Sequence, residues 1–247
     1  SVVARRLGAV ARAPRLRKLS LTLHVETPRT VDDFGVMHCG DGLCVGIAPV
    51  RADGTRCNVT VVADAARFGR SVARDPHAFV RRAFAAMPQL GAAALPDTSG
   101  LRILASGPFD RPTRRVTFDG AALAGDAAGY YDPFTGQGVF QALTCAELLA
   151  AVADVALRRG DCSARALAPY ARNLRRALRE PRLVQHGIEA VLSRPRLADR
   201  AIARIARAPA FARVIIGVTG DTLPAAALLS THALWSLLIP SASGEPA

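Results

Sequence analysis

One short segment of the chain combines residues suited to holding an anionic or polyhydroxylated ligand. Its defining residues are Gly125, Asp126, Ala127, Ala128, Pro133, Gly136, Gln137 and Gly138. The ionised carboxylate of Asp126 only accepts hydrogen bonds, so it would bind the hydroxyl groups of a ligand. Gly136 and Gly138 let the backbone approach that ligand closely. A helix starting there would direct free N–H groups and a positive dipole end toward it.

The residues around this segment predict a buried strand before it and a helix after it. Residues 116–118 and 121–124 form an apolar run, interrupted by the turn pair Asp119-Gly120. From Gln137 onward the apolar residues recur at helical spacing as far as about Arg159, and Gly160 ends the pattern. An ordinary strand–turn–helix in which Asp126 is a local cap explains that aspartate, but not the glycines and the proline together.

The segment resembles the second flavin-binding motif of the para-hydroxybenzoate hydroxylase-like flavoproteins, which include aromatic monooxygenases, geranylgeranyl reductases and flavin-dependent halogenases. Their motif runs Gly-Asp-Ala-Ala, Pro and Gly-x-Gly at the start of a helix. The resemblance implies that Asp126 holds the ribityl chain of FAD and that the backbone of residues 136–138 approaches the isoalloxazine. It implies flavin contacts by Gly125, Asp126, Pro133, Gly136, Gln137 and Gly138, with Ala127 and Ala128 packing against the flavin. It names no catalytic residue, and it implies NAD(P)H as electron donor.

The start of the chain is similar to the end of another element of this superfamily. That element is an Asp-Gly pair followed by Ser-x-Val-Arg-x-x-Leu-Gly. Its last part is similar to Ser1, Val2, Arg5 or Arg6, Leu7 and Gly8. The sequence contains no strand, G-x-G-x-x-G and helix of a dinucleotide fold. We therefore expect a longer protein whose upstream part includes the ADP-binding Rossmann unit. The alternative is a short protein whose start matches by chance.

Apolar periodicity predicts an antiparallel sheet followed, later in the chain, by helices. The predicted strands are 19–25, 34–38, Leu43–Pro49, 57–62 and 101–105, and a helix is predicted at 75–87. The predicted C-terminal helices are 164–178, 183–192, 197–206 and 225–238, with breaks at Pro181 and at residues 193–195.

The fold class expected from these elements is α/β, or α+β for the fragment. By resemblance, it is the C-terminal part of an FAD/NAD(P)-binding flavoprotein fold with an antiparallel substrate-domain sheet and a C-terminal helical region. The expected domains are the end of the FAD-binding domain (1–17), the substrate-binding sheet (18–113), the return of the FAD-binding domain (114–160) and the helical region (161–247).

Composition limits the partners of the chain. The net charge is +12, but Lys18 is the only lysine, and the arginines are dispersed with few aromatic residues among them. We therefore expect no nucleic-acid partner. The charge most simply reflects solvated arginines, and the next explanation is a peripheral membrane contact. Five cysteines without a CxxC pair indicate no disulfide framework and a cytoplasmic protein. Association with a membrane is the alternative that the charge leaves open. His38, Cys39, Cys44 and Cys57 match no zinc spacing, and we expect no metal site.

No signal peptide or transmembrane helix is expected. The first eight residues are too charged for a signal peptide, and residues 223–239 are short and interrupted by polar residues.

The expected function is that of an FAD-dependent oxidoreductase, similar to flavin monooxygenases, which oxidises or reduces a small organic or lipid substrate. One alternative is hydride transfer to a polyprenyl double bond, as in geranylgeranyl reductases. Another is a non-catalytic truncated remnant that does not bind FAD alone. No Ser-His-Asp or Cys-His signature occurs, which agrees with chemistry supplied by a cofactor. Halogenases are the least expected subfamily, because no counterpart of their tryptophan-rich motif or catalytic lysine is visible.

Overall fold

The computed structural model describes residues 1–10, 18–26, 35–40, 42–87, 97–110 and 112–238. The first residue of the strand predicted at 34–38 and the last residues of the chain therefore lie outside the described residues. The chain divides into two compact units: Pro14–Phe109, and Ser1–Ala13 together with Asp110–Ala247. The domain boundaries expected from the sequence stay a prediction.

The unit Pro14–Phe109 contains a five-stranded antiparallel sheet. Its strands, in the order β2-β3-β4-β1-β5 across the sheet, are β1 (Lys18–Glu26), β2 (Val36–Gly40), β3 (Leu43–Pro49), β4 (Arg56–Asp64) and β5 (Leu104–Ser106). In β1 and β4 alternate side chains are buried, and Leu21 and Leu23 pair with Val61 and Val59. This alternation is the signal that predicted the strands.

Two helices, α2 (Ala65–Arg74) and α3 (Pro76–Ala85), follow β4. Phe79, Val80 and Phe84 of α3 are buried in the same apolar core as the sheet residues. The sequence predicted α3 but not α2. Helix α2 has no fully buried residue. Its apolar side is marked only by Phe68 and Val72, which are partly buried against the core, and two positions are too few to predict a helix. Its start is instead specified by Asp64, whose Oδ1 accepts hydrogen bonds from the backbone N–H of Ala66 at 2.6 Å and of Arg67 at 3.2 Å.

The other unit is mostly helical in the part that the structure describes. It contains α1 (Val2–Arg6), the two-residue strands β6 (Thr117–Phe118) and β7 (Ala121–Ala122), a 3₁₀ helix (Gly125–Ala128), α4 (Gly138–Arg158), α5 (Ala164–Ala177), α6 (Arg179–Leu192), α7 (Pro195–Ala206), α8 (Pro209–Thr219), a second 3₁₀ helix (Ala225–Leu229) and α9 (Thr231–Leu238). Strands β6 and β7 pair antiparallel around the predicted Asp119-Gly120 turn.

Two helix boundaries differ from the prediction for the same physical reason. The predicted break at Pro181 is wrong, because α6 already begins at Arg179. The predicted break at residues 193–195 includes Pro195, which is instead the first residue of α7. The first turn of a helix tolerates proline, since its missing N–H would have no intrahelical acceptor there.

Helix α5 anchors the hairpin that leads into the glycine-rich segment. Tyr170 is fully buried, and its hydroxyl donates to the carbonyl of Leu123 at 2.7 Å. The carboxylate of Asp119 accepts from the backbone N–H of Ala164 at 2.7 Å. Burial, together with a hydrogen bond to Cys145, raises the pKa of Tyr170, so this hydroxyl stays a donor at neutral pH.

Helix α4 is the longest element and strongly apolar. It is long and apolar enough to cross a membrane, but the core helix of a soluble protein has the same length and composition. The expectation of no transmembrane helix considered only residues 223–239 and not α4. Val139, Leu143 and Leu157 are among its exposed side chains.

Candidate functional site

The Gly-Asp pair lies in a 3₁₀ helix rather than at the end of a strand. Strand β7 already ends at Ala122, which corrects the expected position of Asp126. Gly125 has φ +54°, and a Cβ atom there would lie 3.4 Å from the Cβ of Ala142 in α4. The left-handed backbone favours glycine at this position, whereas the contact with Ala142 is within the van der Waals range. The turn thus packs closely against α4 and leaves Asp126 exposed.

The two alanines of the segment differ in burial. Ala127 is half-buried, whereas Ala128 is buried in the apolar core of this unit. The carbonyl of Ala128 accepts a hydrogen bond from the Thr113 hydroxyl at 2.6 Å. This bond ties the end of the 3₁₀ helix to the segment that precedes β6.

A tight turn connects the 3₁₀ helix to α4. The carboxylate of Asp132 is buried and accepts from the backbone N–H of Phe134 at 2.7 Å. The N–H of Gly136 donates to the carbonyl of Pro133 at 3.0 Å, and Gly136 has φ +71°. A Cβ atom at Gly136 would meet no atom within 4 Å. The backbone is therefore open on this side, as a close approach by a ligand requires.

The N-terminus of α4 is accessible. The first intrahelical hydrogen bond runs from the N–H of Gln141 to the carbonyl of Gln137 at 2.9 Å. The N–H groups of Gly138, Val139 and Phe140 consequently have no acceptor within the helix. The Val139 side chain is 73% exposed. This helix end can donate hydrogen bonds to an anionic or carbonyl oxygen, and its dipole favours negative charge.

The side chain of Gln137 points into the protein, where it is buried in a hydrogen-bond network. Its Oε1 accepts from the Thr135 hydroxyl at 3.1 Å and from Nε2 of Gln185 at 3.0 Å. Its Nε2 donates to Oδ1 of Asp221 at 2.7 Å. Only the backbone of Gln137 is therefore left for a ligand.

Sequence reasoning missed Gln185 and Asp221. They lie 48 and 84 positions beyond Gln137 in the chain, and local patterns carry no information on such pairings. Asp221 follows Gly220, and its φ of +57° is typical of a turn. The one feature that could have indicated this contact was a polar residue, Gln185, on the buried side of α6.

Tyr130 is a further residue of the segment that the sequence did not single out. Burial is the main cause that raises its pKa to about 12, with smaller contributions from the negative charges of Asp126 and Asp132. A Cβ atom at Gly138 would lie 3.8 Å from the Tyr130 ring. The neutral phenol is thus close to the helix start and within the electrostatic reach of Asp126.

The cysteines singled out in the sequence lie in the sheet unit. Cys39 and Cys44 are register partners on β2 and β3, and Cys57 is buried in β4. Burial raises the pKa of the Cys57 thiol. Among the described residues, no group of three or more His, Cys, Asp or Glu side chains is arranged to hold a metal ion.

Comparison with known proteins places this geometry in context. No family model matches the chain. The digeranylgeranylglycerophospholipid reductase of Methanoculleus marisnigri is 41% identical over 76 residues, which are 30% of this chain and 19% of that protein. The corresponding reductase of Methanosphaerula palustris is 44% identical over 59 residues, covering 24% of this chain and 15% of the relative. The chain thus spans less than a fifth of the length of these curated relatives.

Solved structures of flavoproteins share the fold. A probable FAD-dependent monooxygenase from Pseudomonas aeruginosa matches with a TM-score of 0.59 and 22% identity, over 79% of this chain and 54% of that one. The halogenase PltM, crystallised with phloroglucinol and FAD, matches with a TM-score of 0.66 and 13% identity, over 89% of this chain and 48% of that one. At such identities the likeness concerns the fold alone, for the halogenase as for the monooxygenase.

These comparisons confirm two expectations from the sequence. The chain resembles geranylgeranyl reductases in sequence and FAD-dependent monooxygenases and halogenases in fold. The fold class, a mixed α/β flavoprotein fold with an antiparallel sheet and C-terminal helices, is confirmed as well. The proteins it resembles are named as reductases, monooxygenases and halogenases, all of which are enzymes.

Proposed function

We propose that the protein containing this chain is an FAD-dependent oxidoreductase and that residues 125–138 hold the flavin. One observation carries the proposal. The 3₁₀ helix that carries the exposed carboxylate of Asp126 packs against α4, and the Pro133–Gly136 turn leads from it to the open N-terminus of that helix. The Tyr130 ring lies beside Gly138 at the start of α4, and the negative charge of Asp126 contributes to raising the pKa of Tyr130.

The polar groups of this region fit those of FAD. The ribityl hydroxyls of FAD are donors, which Asp126 can accept, and the pyrimidine carbonyls are acceptors, to which the first N–H groups of α4 can donate. Gly136 leaves open space for the approach. Gly125, Ala127 and Pro133 would complete the contact surface, Gln137 and Gly138 would contribute their backbone, and Ala128 would support the surface from the core.

FAD, when bound, supplies the redox chemistry, and the protein supplies binding, orientation and electrostatics. The positive end of α4 stabilises negative charge that develops on a ligand beside it. The neutral Tyr130 hydroxyl adds no charge at physiological pH, because its pKa is about 12. Asp126 binds and orients, and no residue is assigned to acid–base catalysis.

The substrate is proposed to be a small organic molecule or a lipid, and the electron donor NAD(P)H. The reductase alternative, in which a polyprenyl double bond is reduced, is supported by the curated relatives. These are named for a geranylgeranyl lipid and reach 44% identity over the matched residues. The monooxygenase alternative is supported by the fold shared with the Pseudomonas enzyme.

A peripheral membrane contact is proposed for the C-terminal helical region, with the protein otherwise cytoplasmic. Ile216 of α8, Leu229 of the second 3₁₀ helix and Trp235 of α9 are 69%, 75% and 64% exposed. Exposed apolar and aromatic side chains on an arginine-rich protein suit an anionic bilayer surface. Co-sedimentation with phosphatidylglycerol vesicles, lost in Trp235→Ser and at high salt, is expected. Equal sedimentation of wild type and variant contradicts the assignment to this region.

Anaerobic reduction of the bound cofactor tests the oxidoreductase proposal. The gene product, expressed from its own start codon and loaded with FAD, is titrated with NADPH and separately with NADH while the visible flavin absorption is recorded. Loss of that absorption with one nucleotide supports both the function and the donor. If neither NADPH nor NADH abolishes the flavin absorption but dithionite does, the proposal that NAD(P)H is the electron donor is contradicted. Absence of FAD uptake contradicts the function and leaves the truncated remnant as the reading of this chain.

A further inference from the structure

The hydrogen-bond network around Gln137 joins the glycine-rich segment to the C-terminal helical region. Gln185 comes from α6, and Asp221 follows α8. Their contacts converge on one side chain, that of the residue at which α4 starts. Two elements distant in sequence therefore set the position of the backbone that the proposed flavin site uses.

The network leaves Gln137 little freedom. Both of its side-chain polar atoms are hydrogen-bonded, and the residue is 4% exposed. Thr135 adds a second connection, because its hydroxyl also accepts from Nε2 of Gln185 at 3.0 Å. The turn residue Thr135 and the helix residue Gln137 are thus held by the same amide, and Gly136 lies between them.

Gln185 makes these bonds at an energetic cost. It is 5% exposed, and its Oε1 has no hydrogen-bond partner in the described structure. A buried acceptor without a partner has lost its hydration and gained no hydrogen bond in return, which destabilises the folded state. An apolar side chain of similar volume would avoid that cost but would donate nothing to Thr135 and Gln137. The arrangement therefore favours precise placement of the turn over stability.

Asp221 is adapted to its place by backbone and by charge. Its φ of +57° is a conformation that Asp and Asn tolerate better than most residues. Burial raises its pKa, and the hydrogen bond from Gln137 opposes that rise. Asp221 also borders a surface cavity with Phe140 of α4 and with two charged side chains, Arg176 and Glu180. Its carboxylate is hydrogen-bonded to the side chain of Gln137, the residue at which α4 starts.

We infer that Gln185 and Asp221 are positioning residues of the flavin site: through Gln137 they fix the backbone N–H groups at the start of α4 in the orientation that binds the flavin. This inference rests on the proposed function, since it needs a flavin at residues 125–138. It adds that the C-terminal helical region belongs to the cofactor site although it does not supply the binding motif.

The test uses paired variants of the gene product that contains this chain. Asp221→Gly removes the acceptor while keeping a residue suited to φ +57°. Asp221→Asn keeps an oxygen that can accept from Gln137 and removes the charge. Gln185→Leu removes the donors on the opposite side at similar volume. Asp199→Asn, an exposed carboxylate of α7, is the control for loss of one negative charge.

Two properties of the bound flavin are measured: its dissociation constant and its reduction potential. Asp221→Gly and Gln185→Leu should each weaken FAD binding about tenfold, and the potential should become more negative, because a misaligned helix end stabilises reduced flavin less. Asp221→Asn should recover most of the affinity, and Asp199→Asn should change neither property. A role in folding alone would lower thermal stability without moving the potential of the flavin that is still bound.

The outcomes distinguish failure of the proposed function from failure of the positioning role. If the wild-type gene product takes up no FAD, the proposed function fails, and the inference fails with it. If wild type binds FAD but Gln185→Leu and both Asp221 variants retain its affinity and potential, only the positioning role is refuted. If Asp221→Gly does not fold, the comparison of Gln185→Leu with Asp221→Asn decides.

Discussion

The exposed carboxylate of Asp126 gives the sharpest prediction. Replacing it by alanine removes an acceptor proposed to bind the ribityl hydroxyls, and a hydrogen bond to a charged group contributes about 1.5–3 kcal/mol. At about 1.4 kcal/mol per tenfold, Asp126→Ala should weaken FAD binding by roughly 10- to 100-fold. Asp126→Asn keeps an acceptor oxygen without the charge, so its loss should be only several-fold.

Because Asp126 is exposed, its substitution should change the affinity for FAD without changing the stability of the fold. Its side chain lies on the surface of the 3₁₀ helix, and exposed substitutions usually change the free energy of unfolding by less than about 0.5 kcal/mol. Asp154→Ala is the matched control, because Asp154 is an exposed carboxylate of α4 that pairs with Arg158 at 2.9 Å.

The assay is quenching of FAD fluorescence on titration with the gene product, with thermal unfolding measured in parallel. The expected order of dissociation constants is wild type and Asp154→Ala lowest, Asp126→Asn intermediate and Asp126→Ala highest, at similar unfolding temperatures. Equal affinity of Asp126→Ala and wild type would refute the placement of the ribityl chain at Asp126.

Three further predictions concern stability. Tyr170→Phe leaves the buried carbonyl of Leu123 without its 2.7 Å hydrogen bond and should lower the free energy of unfolding by about 1–3 kcal/mol in urea titrations; an unchanged value would contradict the anchoring role of α5. Gly125→Ala should destabilise the folded protein by about 1–2 kcal/mol because φ is +54°. The control Gly187→Ala in α6, where a Cβ meets no atom within 4 Å, should stabilise it by up to about 1 kcal/mol. Equal effects of the two substitutions would contradict the left-handed turn at Gly125. The third prediction concerns Asp221, whose pKa is raised by burial. Its contribution to the free energy of unfolding is present in full below its unfolded-state pKa and is lost as the pH rises through its folded-state pKa. The stability of Asp221→Asn relative to wild type should therefore increase over that pH range, and a difference that does not change with pH would show that the carboxyl is not buried.

The flavin motif could be predicted from sequence because its information is local. Gly125, Pro133 and the two glycines of Gly-x-Gly follow one another within fourteen residues, and Gly125 and Gly136 have the positive φ that favours glycine. The helix after Gly138 was equally clear, because its apolar residues keep a 3.6-residue period and Gly160, with φ +64°, ends it. Strands β1 and β4 of the sheet unit were visible through alternation of apolar and polar residues, which corresponds to alternating burial in the structure.

What escaped prediction was either non-local or specified by a single polar contact. Helix α2 depends on the Asp64 cap and has no fully buried residue to reveal it. The break assigned to Pro181 failed because the helix begins two residues earlier, where proline is tolerated. Gln185 and Asp221 escaped because their importance lies in their contact with Gln137, which tertiary structure creates and no periodicity records.

The visible absorption spectrum of the purified gene product, and of this chain expressed alone, tests the central claim most directly. Flavin bands in the gene product, reduced in intensity by Asp126→Ala and unaffected by Asp154→Ala, are the predicted result. Flavin bands of equal intensity in both variants would contradict the assignment of the site to residues 125–138. A spectrum without flavin bands, even after incubation with FAD, would contradict the claim that the protein is a flavoenzyme.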